Sequence, residues 1–253
     1  MALYLGNNKI SLNSSCSAGG MKGYFGAGGK CGYSKISDFS SILKNTDTTY
    51  VLDMSYMFNS CSEITTIPLL NTFNATNMYR MFYNCSKLTT IPLLKTSNVT
   101  NMGGMFERCY NLTEIPLLDT SSVVGMFNMF ALCYSLTSIP RFNTSNVEDM
   151  SNMFNGCSSL TEIPALDVSK VTDMNNMFYN CSSLTAIHMT DINADLDISS
   201  STKFTEEALA EIITHLKSVV PYNNRTLTMG PTNLAKLTED DKALATRFGW
   251  TLA

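Results

Sequence analysis

A fixed sequence period of 24 residues runs through the middle of the chain and limits its fold more than any other feature. Six Met-Phe pairs keep this spacing, beginning at Met57, Met81, Met105, Met129, Met153 and Met177. Six cysteines keep it too, at Cys61, Cys85, Cys109, Cys133, Cys157 and Cys181. A fixed period without insertions is typical of repeat proteins, in which each unit packs on its two neighbours.

One unit, Ser97 to Thr120, predicts a short helix followed by a short strand. Its apolar residues recur at the spacing of one helical face, at Val99, Met102, Met105, Phe106 and Cys109. Thr113 and Ile115 then share one side of an extended segment, which Pro116 ends because it has no N–H. Neither part can bury its apolar side alone, so the units are expected to stack and to pair their strands in parallel.

The fold predicted from this pattern is α/β: a leucine-rich-repeat solenoid of six 24-residue helix–strand repeats with parallel stacked strands, over residues 46–190. Residues 1–45 are predicted to form a Gly-rich N-terminal cap or attachment arm, since eight of the 14 glycines lie before Tyr33. Residues 191–253 are predicted to be capping helix–strand units. In that part, Thr205 and Thr238 are each expected to begin a helix, whereas Leu227 and Trp250 are expected in strands.

Composition excludes several classes of protein. The net charge is −4 and no Lys/Arg cluster occurs, so we expect no nucleic-acid partner. No stretch approaches the length of apolar sequence that spans a bilayer, so no membrane insertion is expected. The N-terminal residues carry neither the basic nor the apolar region of a secretory signal, which indicates a cytoplasmic protein or one that leaves the cell by another route.

Catalytic and metal-binding motifs fail when their spacing is checked. The Gly26–Cys31 segment resembles a phosphate loop, but that loop requires glycine where Tyr24 stands and Ser/Thr where Cys31 stands. His188 and His215 stand alone in the sequence, without Cys or carboxylate at ligand spacing. We therefore expect no enzyme activity, no cofactor and no metal.

The cysteine column is interpreted as buried free thiols, because residues stacked in register point their Cβ atoms in parallel, which is poor geometry for disulfides. Cys16 and Cys31 lie outside the column, and the sequence leaves open whether they pair.

The unit pattern Leu-Thr-x-Ile-Pro-x-Leu-Asp-Thr-Ser-x-Val-x-x-Met-x-x-Met-Phe-x-x-Cys resembles the repeat of BspA-type leucine-rich-repeat surface proteins, over about residues 48–190. The segments 2–10 and 225–252 resemble the ends of phage and prophage virion proteins, especially tail-associated ones. The resemblance implies adhesion and recognition rather than catalysis, in bacterial surface proteins or in virions.

Binding is expected where the units vary. The candidate ligand surface combines an outward strand position with two neighbouring columns, one apolar in its first three units and one polar. Its residues are Thr66, Leu69, Asn71, Thr90, Leu93, Lys95, Glu114, Leu117, Asp119, Ser138, Arg141, Asn143, Glu162 and Asp167. The three leucines are either an exposed apolar stripe or are partly covered by the N-terminal arm.

We therefore expect a phage virion component, tail- or fibre-associated, that binds a host surface protein or glycan and attaches to other virion proteins through residues 1–45. It would form a homo-oligomer, a trimer if fibre-borne. The alternatives are a bacterial cell-surface adhesin and an intracellular scaffold.

Overall fold

The computed structural model describes residues 2–5, 8–11, 43, 48–220 and 224–253. The fold is mixed α/β. Strands β1 (Ala2–Leu5) and β2 (Asn8–Ser11) pair antiparallel, and every later strand pair among the described residues is parallel. The rest of the predicted Gly-rich segment, with Cys16 and Cys31, lies outside the described residues apart from the buried Leu43. The boundaries 1–45, 46–190 and 191–253 stay predictions.

The predicted helix of each unit is wrong. The segment from Met54 to Cys61 is a run of tight turns, as are its counterparts in the other units. Alternate N–H groups follow two rules: Met57 N bonds to the carbonyl of Met54 at 3.2 Å, whereas Phe58 N bonds to Met81 O of the next unit at 2.8 Å. Two residues of the segment, Tyr56 and Ser60, have φ of 57° and 60°. A helix cannot contain this left-handed geometry, and it would leave no N–H groups for the neighbouring unit.

Positions one period apart hydrogen-bond to one another along the chain. Isolated parallel bridges join Asp53, Asn77, Asn101, Gly125, Asp149 and Asp173 in sequence. A second series joins threonines, with Thr113 N bonded to Thr89 O at 3.1 Å. These bonds satisfy backbone groups that the missing helices would otherwise have paired internally.

Regular strands form only in the last part of the array. The longest parallel pair joins β3 (Glu162–Asp167) to β4 (Ala186–Thr190), with an irregularity between Ile163 and Leu166. In the earlier units, single backbone hydrogen bonds such as that from Thr113 N to Thr89 O take the place of the predicted strands. A proline, which has no N–H to donate to a ladder, follows the recurring isoleucine in those units, as at Pro116, and also within β3, where Pro164 lies at the irregularity. In β4 the corresponding residue is His188.

The core contains columns of buried side chains that recur at the sequence period. Phe58, Phe82, Phe106, Phe130, Phe154 and Phe178 are fully buried. Consecutive rings of this column lie 5.3–5.8 Å apart, with their planes within 10° of parallel. Burying each ring contributes roughly 1.5–3 kcal/mol, and the ring contact about 0.5–1.5 kcal/mol more. The two methionines that recur in each unit are buried as well.

Two columns of buried side chains donate hydrogen bonds within this core, and neither set of hydrogen bonds was predicted. The hydroxyl of Thr96 donates to Asp119 O at 2.8 Å, and Thr48, Thr72, Thr120 and Thr144 do the same in their units. The thiol of Cys109 donates to Phe82 O of the preceding unit at 3.1 Å. The six described cysteines are buried, and the five from Cys85 to Cys181 are free thiols, which confirms the prediction for these five. Each unit is thereby tied to the next by buried side chains as well as by backbone.

The predicted elements of the C-terminal part are confirmed. Helix α1 (Glu206–Thr214) begins after Thr205, and α3 (Glu239–Arg247) begins after Thr238, whose side chain forms a reciprocal capping box with Asp241. Strand β6 (Arg225–Thr228) lies between β5 (Leu196–Asp197) and β7 (Trp250–Leu252) in a parallel sheet. The short helix α2 (Gly230–Leu234) was not predicted.

Candidate binding surfaces

The predicted ligand surface is largely exposed. Leu69, Leu93 and Leu117 are 75%, 60% and 61% exposed, whereas most of the N-terminal arm that could cover them lies outside the described residues, so both interpretations of these leucines stay predictions. Because they occupy the same position in consecutive units, they form an apolar ridge, here called the leucine ridge. The polar residues beside it are exposed except two that are half-buried, Thr90 and Asp167. Arg141 continues the column in the next unit.

The polar column next to the leucine ridge has a structural role that the sequence interpretation missed. Asn71, Asp119, Asn143 and Asp167 each accept a hydrogen bond from the backbone N–H two residues later, at 3.2, 3.0, 3.2 and 2.9 Å. Such turns brace the chain where it leaves the strand position. The hydrogen bonds from Ser121 and Ser169 lower the pKa of Asp119 and Asp167. Lys95 differs, because its ammonium lies 5.9 Å from the ring centroid of Phe73.

A second surface lies on the outer side of the turn segments and was missed entirely. Its rings are in contact: Tyr56 and Tyr79 meet edge to face at 5.2 Å, and Tyr79 meets Phe127 at 5.8 Å. The Arg80 guanidinium lies 4.8 Å from the ring centroid of Tyr83. That of Arg108 lies 5.7 Å from the same ring. We call Tyr56, Tyr79, Arg80, Tyr83, Arg108 and Phe127 the aromatic–arginine patch.

Electrostatics within the patch are unequal for its two arginines. Arg80 forms a salt bridge with Glu107 at 3.1 Å, and the Glu107 side chain is only 13% exposed. Arg108 is exposed and has no carboxylate within salt-bridge distance among the described residues. Burial raises the pKa of the Tyr79 hydroxyl. The patch therefore presents one unneutralised guanidinium beside apolar ring surface.

Gly103 lies in the unit between Tyr79 and Phe127 and allows these two rings to come into contact. A Cβ placed on Gly103 would lie 2.5 Å from the ring of Phe127, closer than any side chain tolerates. Tyr79 and Phe127 are two units apart, so their contact crosses the unit that contains Gly103. Any larger residue there would separate them.

The backbone under the patch is strained. Each of the six turn segments contains two left-handed positions, and seven of these twelve carry Asn or Gly, such as Asn152 and Gly156. Ser60 and Leu132 occupy two of the other five, and Tyr56, Arg80 and Arg108 of the patch occupy three, with φ of 57°, 51° and 64°. A left-handed residue other than Gly, Asn or Asp costs roughly 1–2 kcal/mol. Strain of this kind is often retained at functional sites.

A sequence signal for the patch existed in the residues between the paired methionines. The last two units have polar residues there, Ser151-Asn152 and Asn175-Asn176. Earlier units depart from this with Tyr79-Arg80, Gly103-Gly104 and Phe127-Asn128. The helix prediction led us to overlook this signal, because it did not place these residues from different units on one shared surface.

His188 does not stand alone, contrary to the sequence interpretation. Its Nδ1 lies 2.7 Å from Glu211 Oε1 in α1, and its Nε2 lies 3.2 Å from Glu162 Oε1 in β3. The hydrogen bond to Glu211 raises the pKa of His188. Glu162, one of the predicted ligand residues, is thus partly engaged in joining the array to the C-terminal part. Among the described residues, no group of three or more His, Cys, Asp or Glu side chains could hold a metal ion.

The described part of the chain contains no helix long and apolar enough to cross a membrane. Its segments hydrogen-bond at intervals of one period, which is the arrangement of a repeat-containing protein with mixed α/β structure. The sequence matches the family described as "Mycoplasma protein of unknown function, DUF285" at residues 31–114 and again at 89–191. These matches cover more than half of the chain, which belongs to this family, a repeat-containing family related to BspA-like surface proteins. No curated protein matches the chain.

Proposed function

We propose that this chain is a non-enzymatic recognition protein whose six units stack as a leucine-rich-repeat-like solenoid and present a surface to a protein or glycan ligand. The observation that carries the proposal is the leucine ridge. Three leucines more than half exposed, in consecutive units, form a contiguous apolar surface. Contiguous exposed apolar surface rimmed by polar residues is typical of interaction sites.

The solenoid part of the proposal is supported by the hydrogen-bonding series. Bridges run without interruption from Asp53 to Asp173, one in each period, and the phenylalanine column follows them. Such an array offers an extended surface of nearly constant geometry, on which small sequence changes alter the chemistry unit by unit. That arrangement suits recognition.

The non-catalytic part is supported by how the reactive groups are used. Burial raises the pKa of Cys61 and Cys181 to about 12, so these thiols are not nucleophiles at neutral pH. The Asp119 and Asp167 carboxylates accept hydrogen bonds that brace turns. Both carboxylates of the His188 cluster are likewise engaged in holding structural elements together.

Two settings fit this role. Relation to BspA-like proteins favours a bacterial cell surface. The likeness of segments 2–10 and 225–252 to tail-associated proteins favours a virion, with residues 1–45 attached to the particle and a trimer at a fibre tip. Quantitative mass spectrometry of purified virions and of the cell-surface fraction separates them. Enrichment in one fraction assigns the setting, whereas presence only in the cytoplasm would contradict both and favour a scaffold.

A further inference from the structure

We propose that the aromatic–arginine patch is a second binding site, and that its ligand is an acidic polysaccharide bearing uronate carboxylates. This inference rests on the proposed recognition function and deepens it, because it names a ligand class for a surface distinct from the leucine ridge. Its first support is composition: four aromatic rings and two guanidinium groups form one connected set of contacts.

The positive charge of the patch argues for an anionic ligand. Two guanidinium groups face one carboxylate, that of Glu107, in a chain whose net charge is −4. The Arg80 guanidinium forms a salt bridge with that carboxylate at 3.1 Å, so its charge is largely neutralised. Arg108 remains exposed, with its guanidinium near the ring of Tyr83. Guanidinium presents a planar pair of N–H donors that fits a carboxylate better than any other side chain does.

The strained backbone is an independent support. Tyr56, Arg80 and Arg108 stand at left-handed positions, and seven of the other nine such positions in the six units carry Asn or Gly, the exceptions being Ser60 and Leu132. Stability alone would favour Asn there. Arg80 recovers part of the cost through Glu107 and Tyr83, but the exposed Arg108 gains little from its surroundings. An anionic ligand would supply Arg108 with the partner that its surroundings lack.

The shape of the patch argues for a polysaccharide rather than a folded protein. Tyr56, Tyr79 and Phe127 follow one another along the stacking direction, as a strip about one ring wide. The rings are half-buried, so the strip offers much less than the roughly 800 Å² per partner of a standard protein interface. A linear sugar chain needs only such a strip, since its rings pack on aromatic surface while its carboxylates reach the guanidinium groups.

The test measures binding of the full chain to polygalacturonate by isothermal titration calorimetry at low ionic strength. Dextran supplies the neutral sugar chain, and poly-L-glutamate supplies carboxylates on a polypeptide. We expect binding to polygalacturonate that weakens with added salt, at least tenfold weaker binding to poly-L-glutamate, and none to dextran. No binding to polygalacturonate, or tighter binding to poly-L-glutamate, would overturn the assignment; the latter result would point to an acidic protein.

Three variants locate the site. Arg108→Asn replaces a left-handed arginine by a residue suited to that geometry, so we expect at least tenfold weaker binding with an unchanged or higher Tm. Tyr83→Ala should weaken binding similarly. Leu93→Glu, on the leucine ridge, should leave this affinity unchanged, apart from a small electrostatic effect. Equal loss in the ridge variant, or full binding by Arg108→Asn, would contradict the patch as the site without touching the proposed role of the ridge.

Discussion

The ring of Phe127 occupies the space in which a side chain at Gly103 would begin, 2.5 Å from the ideal Cβ position. The contact between Tyr79 and Phe127 depends on this gap, because it spans two units of the stack. Packing in the aromatic–arginine patch is therefore set by a missing side chain, and a single methyl group should disturb it.

Gly103→Ala is expected to lower the free energy of unfolding by about 1–3 kcal/mol, the usual cost of inserting a group into a filled site. The matched control is Gly125→Ala, whose added Cβ would have its nearest neighbour at 3.6 Å, an ordinary contact. That control should be neutral or slightly stabilising, since alanine restricts the unfolded chain. Urea denaturation of both variants checks the difference. Equal effects would mean that Phe127 moves aside without cost.

Arg108→Asn is expected to raise the free energy of unfolding by about 0.5–1 kcal/mol, because Asn tolerates the left-handed backbone better than Arg does. Arg108 has φ of 64° and an exposed side chain, so little packing is lost. Arg141→Asn is the control, since Arg141 is also exposed but does not have a positive φ. It should change stability by less than about 0.5 kcal/mol. A destabilised Arg108→Asn protein would refute the argument from strain.

Thr96→Val is expected to cost about 1–3 kcal/mol although it keeps the shape of the side chain. The change removes the hydroxyl that donates to Asp119 O at 2.8 Å in a site 1% exposed, and the carbonyl loses this partner. Thr100→Val provides the comparison, because Thr100 makes a similar bond to Thr76 O at 3.2 Å but is exposed to solvent. Water replaces its hydroxyl, so that variant should lie near wild type. Thermal and urea unfolding would both report the difference.

The six column cysteines should resist iodoacetamide in the folded protein at mildly alkaline pH and react fully in denaturant. Burial raises the pKa of every one of them, to about 12 for Cys61 and Cys181, so the reactive thiolate is scarce. Peptide mapping after alkylation reads each site separately from Cys16 and Cys31. Rapid modification of Cys109 in the native state would show that the array opens readily.

The link from His188 to Glu211 should stabilise the protein more at about pH 5.5 than at about pH 8.5. The pKa of His188 is raised in the folded state above its ordinary value of 6.5, chiefly by the hydrogen bond to Glu211. Such a group contributes its full stabilisation below the unfolded pKa, and that contribution is lost as pH rises through the folded pKa. For a pair about one third exposed we expect no more than about 1 kcal/mol. Comparing wild type with Glu211→Gln by urea denaturation at both pH values measures it; a larger loss at the alkaline pH would reverse the assignment.

Sequence patterns predicted the C-terminal elements well because local chemistry decides them. Thr205 and Thr238 cap their helices through their own side chains, and the signal lies within a few residues. The unit pattern failed for the opposite reason. Burial of Met54, Met57, Phe58 and Cys61 has the spacing of a helical face, yet each alternate N–H group of the segment bonds to the next unit. No local pattern distinguishes these two outcomes.

The leucines could be predicted because they recur at one position of the period, whereas the residues between the paired methionines signal a variable position but not the contacts of the patch. Its contacts join Tyr79 to Phe127 two units away, and Arg80 to Glu107 in the next unit. Arg80 also stands at a left-handed position, which the predicted helix does not contain. His188 was judged to stand alone for the same reason, since Glu162 and Glu211 reach it only through the fold.

The most direct test of the central claim, that this chain recognises a surface ligand, is a binding titration of the fluorescently labelled protein with immobilised surface glycans and proteins from bacterial envelopes and from animal cells, so that either setting supplies its ligand. Wild type should bind saturably, and Leu93→Glu should bind at least tenfold more weakly because it places a charge on the leucine ridge. Val124→Glu, which changes an exposed apolar residue outside the ridge, should bind as wild type does. Absence of saturable binding, or equal binding by both variants and wild type, would contradict the account.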